Sequence, residues 1–154
     1  MGVVKQPMTM PGRRTSPYPA PYNSGFEARN KRALTEALGL TQFGVNVTTL
    51  EVGAKSSERH WHQREDEFIF VLEGVVTLVS DAGEEELGPG MAAGFKAGEP
   101  NGHHLVNKGK LPATYLEVGT RSADDHVEYP DADLVGVKTG GRYSFRRKNG
   151  DPYP

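Results

Sequence analysis

The chain has 154 residues, with 18 lysines and arginines, 20 aspartates and glutamates, and no cysteine. The formal net charge of -2 gives no electrostatic reason to bind nucleic acid or an anionic membrane, and the cysteine count excludes disulfides, thiolate zinc sites and cysteine nucleophiles. No apolar run reaches the roughly 18 residues of a membrane span, and residues 1–10 lack the apolar region of a secretory signal, so we expect one cytoplasmic domain.

The first 25 residues are rich in proline and carry five of the 11 prolines of the chain. Proline cannot donate to a hydrogen-bonded ladder, so the segment is predicted to be an extended arm. Two interpretations stay open. The arm is either a disordered leader or, because it carries Tyr18 and Tyr22, a segment that docks on a surface.

The one predicted helix covers residues 27–38. Ser24 and Glu27 have the spacing of a capping box, Gly39 stands where a helix would end, and the apolar residues between them recur at helical spacing. We therefore group residues 1–39 as a proline-rich arm with a short helix.

From Phe43 to Val118 the sequence changes to short runs of β-branched and aromatic residues, separated by turn signals. This pattern favours an all-β sandwich or barrel, which we place at residues 40–120. The run at residues 67–72 is apolar on both faces, so its strand is expected to be central or covered at an interface. Residues 121–154 are predicted to form a C-terminal extension that packs on the barrel.

The histidines are clustered. His60 and His62 are two residues apart, so on a strand both imidazoles point to one face. Such a pair in a strand is more often just two polar residues. Glu67, however, opens an apolar strand, where a buried carboxylate is costly unless it has a partner such as a divalent cation. With the second histidine run, His103 and His104, this pattern indicates a metal site.

Two motifs resemble those of the cupin superfamily. Gly53-x6-His60-x-His62-x4-Glu67-x6-Gly74 is similar to the first motif, G-x5-H-x-H-x3,4-E-x6-G, with one extra residue in the first gap. The segment from Gly90 through Ala97-Gly98 to His103-x3-Asn107 is similar to the second, G-x5-P-x-G-x2-H-x3-N. It has Lys96-Ala97 at the place of the proline and two extra residues before His103. The wider chain resembles small single-domain bacterial cupins of the conserved-barrel type.

The resemblance implies a single-domain jelly-roll β-barrel that binds one divalent metal ion per chain. Its ligands, carried over residue by residue, are His60, His62, Glu67 and His103. Imidazole and carboxylate ligands suit Zn, Fe, Mn, Ni or Cu alike, so the sequence does not distinguish the metal. His103 is preferred to His104 because it keeps the spacing to Asn107, and adjacent strand side chains face opposite sides.

Other residues near the predicted ligands, and His126, are expected to have no part in the site. Trp61 lies between two ligands and is expected to pack on the opposite face, away from the site. Glu65 and Asp66 are expected to lie in a solvated turn, and His126 on the surface. No general base or other catalytic residue is identifiable.

The predicted function is that of a metal-dependent enzyme acting on a small oxygen-bearing substrate, a sugar or an organic acid, by isomerase-like or oxygenase-like chemistry. One alternative is a non-catalytic cupin that binds or senses a small ligand, and another is a barrel whose metal only braces the fold. The expected partners are the small molecule and a second copy in a homodimer, because open sheet edges need covering.

Overall fold

Residues 3–154 are described here from a computed structural model, and the first two residues of the predicted arm lie outside this range. The structure is built from antiparallel strands, which confirms the predicted all-β class. Helical structure in this range is confined to a 3-10 turn at Pro7–Thr9 and a short helix, α1, at Leu34–Leu38. Neither is long or apolar enough to cross a membrane.

The strands are, in chain order, β1 (Arg29–Ala33), β2 (Phe43–Leu50), β3 (Trp61–His62), β4 (Glu67–Glu73), β5 (Val76–Ser80), β6 (Gly83–Leu87), β7 (Ala92–Phe95), β8 (His104–Val106), β9 (Ala113–Thr120), β10 (Asp125–Glu128), β11 (Val135–Thr139) and β12 (Arg142–Arg146). They form a five-stranded sheet, β1-β2-β9-β4-β7, a three-stranded sheet, β6-β5-β8, and a four-stranded sheet, β12-β11-β10-β3.

One apolar core joins the five-stranded and three-stranded sheets. Its buried members alternate along their strands, as period-two patterning requires. They are Leu50, Ala54, Ile69, Val71, Val76, Leu78, Leu87, Leu105, Ala113 and Tyr115. Strand β4 lies between β9 and β7, so its predicted central position is confirmed. Its inward side chains enter this core, whereas Phe68 and Leu72 on the outward face are 42% and 47% exposed.

Asn107 ties the loops around the core together. Its fully buried side-chain amide donates to the carbonyl oxygens of Leu50 and Leu111, at 2.9 and 2.8 Å, and its side-chain oxygen accepts from the Gly109 N–H. Buried carbonyl groups need hydrogen-bond donors, and this one side chain supplies them to two carbonyl groups, one at the end of β2 and one in the loop before β9. The asparagine of the second motif therefore has a structural task and does not face the predicted ligands.

The predicted helix at residues 27–38 is wrong over most of its length. Residues 29–33 form β1, which pairs with β2 from Arg29 opposite Leu50 to Ala33 opposite Asn46. A helix of about 12 residues is marginal by itself, so the ladder offered by β2 overrides the local pattern. Ser24 does not cap α1, whose N-cap position is Ala33. Gly39 does end the helix, with a φ of 73° that favours glycine.

The N-terminal arm is docked on its own chain. Tyr18 meets Tyr129 and Phe145 edge to face, with ring centroids 5.5 and 5.6 Å apart, and the Tyr22 hydroxyl accepts from the backbone N–H of Asp133 at 3.0 Å. Burial raises the pKa of Tyr18 to about 12. The arm thus closes a second apolar cluster, whose buried members all follow residue 126: Val127, Tyr129, Ala132 and Leu134.

The residues after 120 do more than cover the barrel. Strand β10 pairs with β3, placing Val127 opposite His62 and Glu128 opposite Trp61. The two-residue strand that carries a predicted metal ligand is therefore held in place from the C-terminal part of the chain.

Candidate metal centre

Two backbone bridges bring the predicted ligands into one place. The N–H of His60 donates to the carbonyl of His103 at 3.1 Å, and the N–H of His103 donates back to the carbonyl of His60 at 3.0 Å. His62 follows in β3, and Glu67 is the first residue of β4. The two motif segments, some 40 residues apart in sequence, are thus locked in register beside the opening of β4.

The Glu67 carboxylate is the point on which the three imidazoles converge. The Nε2 atom of His103 is 2.6 Å from Glu67 Oε2, and the Nε2 atoms of His62 and His60 are 3.5 and 3.6 Å from Glu67 Oε1. The structure therefore brings together all four side chains that the sequence analysis singled out.

The opposite ring nitrogens are held by hydrogen bonds that fix the orientation of the three rings. Nδ1 of His60 and of His103 each lies 2.9 Å from a backbone carbonyl oxygen, of Glu58 and Asn101 respectively, and Nδ1 of His62 lies 2.6 Å from Asp125 Oδ2. Such oxygens only accept hydrogen bonds, so each Nδ1 carries the proton. A ring held in this way points its Nε2 atom at Glu67. Three Nε2 atoms, each able to give up a proton to become a ligand, surround one carboxylate and form a donor set that fits a divalent cation.

The electrostatics of the cluster agree with this arrangement. Burial acts to raise the pKa of Glu67, but the charge of His60 and hydrogen bonds from the imidazoles hold it well below its usual range. Burial acts to lower the pKa of His62, but the hydrogen bonds with Asp125 and Glu67 prevail and raise it to about 10. The site thus keeps its carboxylate ionised and attracts positive charge.

His103 and His104 face different surroundings. His103 is buried, and its ring stacks on Phe95 with the ring centroids 3.5 Å apart and the planes almost parallel. His104 turns the other way and donates from Nδ1 to the carbonyl of Ser57 at 2.9 Å; burial lowers its pKa. Only His103 of the adjacent pair is aimed at Glu67.

A cavity of about 280 Å³ opens beside His62, Glu67 and His103. Its other walls combine polar groups with two aromatic rings, and they include Trp61, Ser80, Phe95, Lys96, Glu99 and Asn101. The expectation that Trp61 lies away from the site is therefore wrong. Strand β3 is only two residues long, too short for strict alternation to keep Trp61 out of the cavity.

The prediction that Glu65 lies in a solvated turn is also wrong. Its side chain is buried, and its Oε1 atom accepts from Lys138 Nζ at 2.5 Å and from the Ser122 N–H at 2.9 Å. Asp66 does stay exposed. Neither the Glu65–Lys138 pair nor the contact of Asp125 with His62 has a local signal, because the partners are 73 and 63 residues apart.

The comparisons with known proteins agree with the motifs. A family model described as the cupin domain matches residues 46–119. A structure from Silicibacter pomeroyi, described as a sugar phosphate isomerase from a cupin superfamily, is 44% identical, with a TM-score of 0.90 over 96% of this chain and 94% of that one. No protein of curated function matches.

Two further structures are similar over most of the chain. One, from Acidithiobacillus ferrooxidans, is provisionally described as a sugar phosphate isomerase; it is 27% identical, with a TM-score of 0.80 over 92% of this chain and 88% of that one. The other is the polyketide cyclase RemF from Streptomyces resistomycificus, 25% identical, with a TM-score of 0.64 over 78% and 80%. The chain has an antiparallel jelly-roll β fold, and the Silicibacter pomeroyi cupin matches it over 96% of its length at 44% identity. The chain therefore belongs to the cupin superfamily.

Proposed function

We propose that this protein is a metal-dependent enzyme acting on a small oxygen-bearing molecule, such as a sugar or an organic acid. The observation that carries the proposal is the convergence of three imidazole Nε2 atoms and one carboxylate at the wall of a polar cavity. His60, His62, Glu67 and His103 would hold the metal ion. Once bound, the ion would supply Lewis acidity toward oxygen atoms of the substrate.

The cavity walls support a small, polar substrate. A volume of about 280 Å³ is just below the range of about 300–1,000 Å³ that is common for ligand pockets. The side-chain NH2 group of Asn101 can donate to hydroxyl or carbonyl oxygens, and the Trp61 ring offers an apolar face to a sugar ring. The description of two relatives as sugar phosphate isomerases also favours this class.

Two charged residues of the cavity wall could act on the substrate directly, one in proton transfer and one in charge neutralisation. Lys96 and Glu99 line the cavity, and within residues 3–154 neither forms a side-chain ion pair. Glu67 is occupied by the imidazoles, so Glu99 is the carboxylate free to move a proton to or from a substrate. Lys96 can neutralise an anionic substituent.

The function is tested by turnover of the metal-loaded protein on a panel of aldoses, ketoses, their phosphates and small hydroxy acids. We expect one class to be converted, and Glu99→Gln to lower kcat by about 100-fold, because general acid–base catalysis typically contributes that much or more. Metal content should stay unchanged in this variant. Glu84→Gln, on the exposed hairpin strand β6, is the control. Binding of a panel member without any conversion would contradict the enzyme assignment.

Metal binding is tested with the two adjacent histidines. His103→Ala should lower Zn²⁺ affinity at least tenfold, since one of four ligands is lost, while His104→Ala should keep the wild-type affinity. Competition with a chelator measures both, and elemental analysis of the purified wild type should give one ion per chain. Equal losses in the two variants would refute the assignment of His103.

Metal affinity should rise with pH. Because the hydrogen bonds with Asp125 and Glu67 raise the pKa of His62 to about 10, the imidazole carries a proton at neutral pH, and metal binding must displace it. Between about pH 6 and pH 9, Zn²⁺ affinity should therefore increase by about tenfold per pH unit for each proton displaced. Calorimetry in buffers of different ionisation enthalpy measures the proton release. A pH-independent affinity would rule out a protonated His62.

We also propose that two copies associate through the outward face of β4. This face presents Phe68 and Leu72, 42% and 47% exposed, on the sheet that ends at the short strand β7. Light scattering should give twice 16.8 kDa for the wild type and 16.8 kDa for Phe68→Glu. Leu111→Glu, at an exposed apolar residue in a loop, should remain dimeric. A monomeric wild type at tens of micromolar would disprove the proposal.

A further inference from the structure

Two buried carboxylates lie beside Nδ1 of His62, on the side of the ring away from Glu67. Asp125 Oδ2 is 2.6 Å from this nitrogen, and Glu65 Oε2 is 3.8 Å from it. The Asp125 side chain is fully buried, and that of Glu65 is 4% exposed. Only the shorter of the two distances is a hydrogen bond.

Glu65 is occupied elsewhere. Its Oε1 atom accepts from Lys138 Nζ at 2.5 Å, from the Ser122 N–H at 2.9 Å and from the Ser122 hydroxyl at 3.2 Å. The Lys138 ammonium already balances the charge of this carboxylate in the interior. His62, Glu65 and Asp125 are therefore a completed ion-pair cluster, and no second cation is needed to explain it.

Asp125 makes two hydrogen bonds that together define the position of His62. Its Oδ2 accepts from His62 Nδ1–H, and its Oδ1 accepts from the backbone N–H of Arg64 at 2.9 Å. It is the first residue of β10, whose ladder to β3 sets Val127 opposite His62. The His62 ring and the backbone of Arg64 are thus both hydrogen-bonded to the Asp125 carboxylate.

The three imidazoles of the cluster are not held alike. His60 and His103 donate to backbone carbonyls, which no side-chain substitution removes. Through Nδ1, only His62 of the three donates to a carboxylate, and a charged acceptor makes the shorter and stronger hydrogen bond. Because Asp125 can only accept there, it keeps a proton on Nδ1 and leaves Nε2, which points at Glu67, as the nitrogen that would bind the metal.

We propose that Asp125 is a positioning residue of the metal centre, which fixes the ring orientation and tautomer of His62 and so strengthens metal binding. The inference rests on the proposed function in one respect, since it takes His62 to be a metal ligand. Asp125 lies outside residues 46–119, the part that matches the cupin domain. The metal centre of this protein therefore extends beyond the core of the fold into the C-terminal strands.

Asp125→Asn is the discriminating variant. The two donors face different oxygens of Asp125, and asparagine replaces one of these oxygens with an NH2 group that cannot accept. With the oxygen kept toward Arg64 N–H, the NH2 group would face His62 Nδ1 and favour the wrong imidazole tautomer. We expect its Zn²⁺ affinity to fall by about 10–100-fold in chelator competition. The double variant Glu65→Gln/Lys138→Met removes the neighbouring ion pair without a change in net charge. It should keep Zn²⁺ affinity within about threefold of the wild type, since it leaves the Asp125–His62 hydrogen bond intact.

Two further measurements separate positioning from a general effect on folding. In the zinc-loaded wild type, the His62 Nδ1–H proton should appear in nitrogen-resolved NMR as a hydrogen-bonded resonance, and it should disappear in Asp125→Asn. In a double-mutant cycle, Asp125→Asn added to His62→Ala should cost no further Zn²⁺ affinity, because Asp125 acts through His62.

The outcomes are distinguishable. If the wild type binds no Zn²⁺, the proposed function and this inference both fail. If the wild type binds Zn²⁺ and Asp125→Asn binds it equally well, only the role of Asp125 is overturned. Equal losses in Asp125→Asn and in the Glu65/Lys138 double variant, or an additive double-mutant cycle, would also overturn it, since either result would show an effect that does not pass through His62.

Discussion

The rest of the structure depends on the neutralisation of one carboxylate. Glu67 opens a strand whose next inward residues belong to the apolar core, and an ionised carboxylate in such a place is costly unless positive charge or hydrogen-bond donors surround it. Here three imidazoles meet the carboxylate oxygens, and the pKa of Glu67 stays well below its usual range although burial acts to raise it. The candidate metal centre and the proposed chemistry both depend on that arrangement.

The three imidazoles converge on Glu67 although the site itself contains very little regular secondary structure. Strand β3 has only two residues, too few to hold two imidazoles by its own ladder. It is supported on one side by the reciprocal bridge between His60 and His103, and on the other by β10. Since backbone bridges set position along the chain, the side chains converge without relying on long strands.

The second apolar cluster gives this support its stability. Tyr129 follows β10 directly, its ring lies 5.7 Å from that of His60, and Tyr18 of the arm packs against its other side. The arm and the C-terminal strands are thus linked to His60 through contacts between aromatic rings. The sequence suggested an arm that docks, but the partner surface is formed by residues more than 100 positions away, and no local pattern could identify it.

What the sequence determined by itself is what short-range geometry controls. Strand alternation places His60 and His62 on one side, and the patterning of apolar residues and turns identifies an all-β chain with a central β4. Tertiary pairing decided the rest. Residues 29–33 became a strand because β2 offers a ladder, and Glu65 became buried because Lys138 reaches it. Asp125 faces His62 because β10 pairs with β3. These contacts join residues far apart in the chain, and their energies arise only when the sheets assemble.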